Sequence, residues 1–108
     1  MPELLRAYLA ILIQRLFTLH ADLDCLALTF LLEPYKKLND RKLSVRERSE
    51  KFAYEVSDED FHKLATHVLN KEALYYTPEV DEMKESFVRA LKMYGYNVKE
   101  IETGGGVR

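Results

Sequence analysis

From Leu4 to Leu19 the chain reads LLRAYLAILIQRLFTL, and only Arg6, Gln14, Arg15 and Thr18 are polar. Wound into an α-helix of 3.6 residues per turn, this stretch is apolar around nearly its whole circumference. Such a helix must be enclosed on nearly all sides, by its own chain or by another. It does not read as a membrane span, which needs about 20 apolar residues. Arg6, Gln14, Arg15, His20, Asp22 and Asp24 interrupt every window of that length. Nor does it read as a targeting segment, since Glu3 and Arg6 flank the apolar run and no small-residue cleavage pattern follows.

A chain of 108 residues supplies one core and little spare material to wrap a helix completely. Part of the first helix is therefore expected to meet another chain, with Leu5, Leu9, Leu12, Leu16 and Leu19 as the interface residues. Burying one side of these leucines would remove several hundred Å² of apolar surface. At about 25 cal/mol per Å² that is on the order of 10 kcal/mol before the costs of association, enough to decide an oligomeric state.

The rest of the chain is punctuated as helices. Ser44 and Glu47 form an S-x-x-E capping box. Ser57 followed by Asp58, Glu59 and Asp60 is a second start, with negative charge at the positive end of the helix dipole. Thr77-Pro78 is a third, with proline at the first helical position, and Gly95 is the stop that ends it. The apolar spacing agrees: Phe61, Leu64, Ala65, Val68 and Leu69 make one stripe, and Val80, Met83, Phe87, Leu91 and Tyr94 another. Tyr75 and Tyr76, just before the Thr77 start, read as a staple of the last helix to the core.

These signals predict helices over 3–20, 22–37, 44–56, 58–70 and 78–94, an all-α domain of orthogonal or bundle-like architecture. The domain is expected to occupy 1–103, with 104–108 as a flexible glycine-rich tail. Tyr96, Val98 and Ile101 leave room for a short C-terminal strand. With 47% apolar and 31% charged residues the chain reads as globular rather than disordered. Its single cysteine, Cys25, excludes an intramolecular disulfide, and no Cys/His spacing resembles a zinc site, so a reducing, cytoplasmic setting without metal or cofactor is expected. One glutamine and three asparagines against many Lys, Arg, Glu and Tyr lean toward a heat-stable composition.

Charge is divided unequally. Between Lys36 and Lys51 seven basic residues (Lys36, Lys37, Arg41, Lys42, Arg46, Arg48 and Lys51) face three acidic ones, a net +4. The remainder carries −6, which recovers the chain's −2. Tyr35 and Tyr54 flank the stretch and suit stacking on unpaired bases, so nucleic-acid binding is one reading of it. Binders of that kind are usually basic overall, with pI above about 9, and this chain is acidic. The pairs Arg46–Glu50 and Glu47–Lys51, each four apart, equally describe a solvated helix, which is the favoured reading.

In HADLDC, His20 and Asp24 lie one helical turn apart, but two side chains do not make a metal site, and Asp22 or His20 reads better as a cap at a helix junction. Arg15 and His20 spell R-x-x-x-x-H, which resembles the catalytic signature of HEPN-family ribonucleases. Over those six residues the resemblance implies a dimeric all-α domain that cleaves RNA without metal, the histidine moving a proton and the arginine stabilising phosphate charge. His62 and His67, five apart, share no helix face, and no nucleophile motif, Walker loop or dinucleotide fingerprint is present. The first reading is a non-enzymatic helical module that self-associates or joins a protein partner. Nucleic-acid association through 36–51 is second, and an RNase using Arg15 and His20 is third.

Overall fold

The computed structural model describes residues 2–30, 42–71 and 77–96. Among these the chain forms five helices and no strand: α1 (Glu3–Leu16), α2 (His20–Phe30), α3 (Val45–Glu55), α4 (Asp58–Asn70) and α5 (Pro78–Met93). The all-α class read from the punctuation is the class observed. The expected tail 104–108, the Tyr75–Tyr76 staple, and Val98 and Ile101 of the expected strand lie outside the described residues.

The helix that most needed enclosure is the one at the centre. α1 packs against α3, α4 and α5 of its own chain. Its Leu5, Leu9, Ala10, Leu12, Ile13 and Leu16 join one core with Phe52 and Ala53 of α3, Phe61, Leu64, Ala65 and Val68 of α4, and Val80, Phe87, Ala90 and Leu91 of α5. Aromatic rings close it: Phe87 meets Tyr8 at 6.2 Å and Phe61 edge-on at 6.4 Å. The interface expected at Leu5, Leu9, Leu12 and Leu16 is thereby corrected, because all four are buried inside the monomer. Three amphipathic helices suffice to surround most of one apolar helix. Of the five leucines only Leu19 stays outside, 61% exposed.

The break expected between the 3–20 and 22–37 helices is present but falls earlier, at 17–19. α1 stops at Leu16 and Phe17 leaves helical geometry, turning its ring into the core while its N–H still donates to Ile13 O at 2.8 Å. A new helix then starts because the Asp22 carboxylate accepts the Leu19 N–H at 3.2 Å, the acidic half of a capping box. Beyond Phe30, the rest of the expected 22–37 helix lies outside the described residues. The other starts behave as read: Ser44 and Glu47 exchange both capping-box hydrogen bonds, and Ser57 accepts from the Asp60 N–H. Thr77 makes no side-chain cap, so α5 starts on Pro78 alone. Its far end is a Schellman stop, with Gly95 N–H donating to Lys92 O and Tyr96 N–H to Leu91 O, each at 3.0 Å, around Gly95 at φ 83°. Tyr94 of the expected stripe falls at this cap and is exposed.

Arg6 is the polar residue that α1 turns inward. Its Nη1 donates to Ala53 O at 3.0 Å and Val56 O at 2.7 Å, and its Nη2 to Asp58 Oδ1 at 3.0 Å. The guanidinium also lies over the Phe61 ring, 5.6 Å from its centre. It thus satisfies carbonyls at the C-terminal end of α3 that no helix bond can reach, and holds the α3–α4 corner against α1.

Candidate functional site

α2 is the element through which the sequence-derived candidates can be judged, because it carries His20, Asp22, Asp24 and Cys25 and packs on α3. One turn separates His20 from Asp24, and Arg48 of α3 reaches between them. Its Nη2 donates to Asp24 Oδ1 at 2.7 Å, and its Nη1 contacts His20 Nδ1 at 2.8 Å and the His20 carbonyl at 3.3 Å. Arginine only donates, so His20 Nδ1 accepts and the imidazole carries its proton on Nε2. Arg48 is fully withdrawn from solvent.

That arrangement reassigns several candidates. Arg48 was expected among the phosphate-binding cations, and its burial overturns that role. The reason lies in spacing: Arg48 stands three residues after Val45 and four before Phe52, on the face that α3 turns inward. The signal was present in the sequence, masked by the surrounding charges. The same guanidinium fills the position a metal ion would need between His20 and Asp24. Among the described residues no three His, Cys, Asp or Glu side chains converge as a metal site would require.

Of the remaining basic candidates, Tyr35, Lys36, Lys37 and Arg41 lie outside the described residues. Lys42 is exposed, and Arg46, also exposed, pairs with Glu50 at 3.1 Å as its spacing foretold. Lys51 pairs with Glu55 at 3.8 Å rather than with Glu47, whose carboxylate is occupied at the Ser44 cap. Hydrogen bonds from the Ser44 N–H and then its hydroxyl hold the Glu47 carboxyl below its ordinary range, with a further contribution from the Lys51 charge. Tyr54 is exposed on α3. Arg15 and His20 are not brought together in any described contact: Arg15 stands 3.9 Å from Glu79 of α5, while His20 turns its Nδ1 to Arg48.

The outer face of α2 escaped the sequence reading. His20, Asp22 and Asp24 are half-buried, and each is engaged by the contacts above. Ala21, Cys25, Leu28 and Thr29 are exposed instead. The first three follow i, i+4, i+7, one strip of a helix. Thr29 joins its edge with its hydroxyl already donated to Cys25 O at 2.8 Å. α2 therefore shows solvent an uncharged strip, flanked by the half-buried Asp22 and Asp24. Nothing in the apolar-rich sequence HADLDCLALTF distinguishes which apolar residues a neighbour will cover, so this face becomes visible only after packing. Among the described residues no helix is long and apolar enough to cross a membrane. No family model matches the chain, and no curated protein or solved structure is detectably similar to it.

Proposed function

We propose that this chain is a small, non-enzymatic helical module that works in the cytoplasm by associating with another protein chain, in the first place with its own copies. One observation carries the reading: every strongly exposed leucine and isoleucine among the described residues belongs to the first 28. These are Leu4, Ile11, Leu19 and Leu28, each at least 45% exposed, although the same segment also supplies much of the core. Exposed aliphatic side chains in excess of what a monomer surface needs support a role in association, and these four all come from α1, its junction and α2.

Association through this segment replaces the expected contact through Leu5, Leu9, Leu12 and Leu16 and keeps Leu19. The nucleic-acid reading loses support from the burial of Arg48 and the pairing of Arg46. The ribonuclease reading loses support from the engagement of His20 with Arg48. The test is mass in solution by light scattering between about 1 and 100 μM, repeated with single-stranded RNA present. Two or more copies per particle, unchanged by RNA, is the expected result. A single-chain mass across the range excludes self-association, and a shift on adding RNA restores the nucleic-acid reading.

A further inference from the structure

We infer that His20 is an acid-operated latch: neutral, it holds α2 against α3 through Arg48, and protonated, it releases α2. A permanent cation is paired there with an acceptor that a single proton abolishes. Arg48 Nη1 lies 2.8 Å from His20 Nδ1, and the arginine is wholly enclosed. Arginine stays charged and offers only N–H donors, so the contact exists only while Nδ1 keeps its lone pair. A proton on Nδ1 removes the acceptor and sets two positive charges at hydrogen-bond distance. His20 is half-buried, so water can deliver that proton. Arg48 cannot relieve the repulsion by turning into water while the two helices stay packed.

The groups around His20 decide which part gives way. From α3, the helix on which α2 packs most extensively, Arg48 faces it. On its own helix Asp24 stands one turn on and accepts from Arg48 Nη2 at 2.7 Å. The other nearby charges are committed elsewhere. Asp22 is turned to the Leu19 N–H, Glu47 to Ser44, Lys51 to Glu55 and Arg15 of α1 to Glu79, while His67 of α4 stacks on Phe17. Residues 17–19 before the helix carry no titratable side chain. A protonated His20 therefore competes with Arg48 for the carboxylate of Asp24, and whatever share it takes is lost from the tie between the helices. The closed arrangement accepts no proton at Nδ1 and a released α2 does, so acid draws the chain toward release. Leu23, Leu26 and Ala27, the buried side of α2, are uncovered as it leaves.

Protection of the Leu23 and Leu26 amides against hydrogen exchange, corrected for the intrinsic effect of pH, measures that release. A solvated imidazole takes up its proton near pH 6.5, so protection at both amides should fall about tenfold or more between pH 7.5 and pH 5. His20→Asn keeps a carbonyl acceptor close to the position of Nδ1 and cannot be protonated, so the fall should disappear. His20→Lys, a permanent cation, should show low protection at both pH values. His67→Gln should leave the wild-type fall intact. Should circular dichroism show His20→Asn unfolded, His20→Gln makes the same test. Constant protection in the wild type, or an equal fall in the neutral variant, overturns the latch. A fall abolished by His67→Gln assigns the effect to the Phe17 contact and overturns it as well.

Discussion

Arg48 Nη2 lies 2.7 Å from Asp24 Oδ1, and of the two side chains the arginine is wholly enclosed while the aspartate keeps 22% of its exposure. The pair ties α3 to α2 across 24 residues of sequence, and His20 accepts from the other guanidinium nitrogen. Two positions earlier, Arg46 makes a superficially similar pair with Glu50 entirely at the surface.

The two arginines should behave very differently. Breaking a buried ion pair by removing one partner costs about 3–5 kcal/mol, whereas an exposed i, i+4 pair contributes about 0.3–0.5 kcal/mol. Arg48→Gln is expected to lower unfolding free energy by about 3 kcal/mol and Arg46→Gln by less than about 0.5 kcal/mol. Urea unfolding measures both. Equal effects would mean that Arg48 is solvated rather than enclosed.

The Arg48 contact also dictates a proton position. At neutral pH, nitrogen-15 spectra should show His20 with a bare Nδ1 and a protonated Nε2, since the guanidinium can only donate. Arg48→Met should release this preference and give a mixture of tautomers. A dominant Nδ1–H form in the wild type would be incompatible with the contact.

Gly95 should be sensitive for a conformational reason alone. Its φ is 83°, and a Cβ built there meets nothing within 4 Å. Gly95→Ala is expected to cost about 1 kcal/mol, and Gly95→Val more, because side chains rather than neighbours resist the left-handed geometry. A D-alanine introduced there by semisynthesis should be tolerated. If D-alanine destabilises as much as L-alanine, crowding rather than φ governs the site.

His67 sets an acid-side dependence. Its ring stacks on Phe17 at 6.3 Å, and burial, followed by the charge of Lys71, holds the imidazole below its ordinary value. Lys71 Nζ lies 5.6 Å from the centre of the same Phe17 ring. A depressed folded-state value means that the unfolded chain takes up the proton first. The His67 contribution is therefore complete above pH about 6.5 and is lost as pH falls through the lower folded-state value. The urea midpoint should drop between pH 8 and pH 5, and His67→Gln should shrink that drop. An equal drop in the variant would assign the dependence to other groups.

Sequence alone determined the local events, because these depend on residues within one turn of each other. Ser44 and Glu47, Ser57 and Asp60, Pro78 and Gly95 each mark a helix end through bonds or dihedral preferences that need no distant partner. The inward stripe of α4 was legible for the same reason, as Phe61, Leu64, Ala65 and Val68 repeat at helical spacing and all are buried. What the sequence could not decide was which partner each face would take. The apolar circumference of α1 required enclosure, but enclosure by α3, α4 and α5 and enclosure by a second chain satisfy the same hydrophobic demand. Spacing put Arg48 on the inward face of α3, but packing alone supplied its partner Asp24, while Arg46 stayed at the surface with Glu50. Packing likewise tied Asp24 of α2 to Arg48 and left Ala21, Cys25 and Leu28 outside. Burial and ion pairing are long-range properties, set by contacts between residues tens of positions apart, and only the tertiary structure brings those residues together.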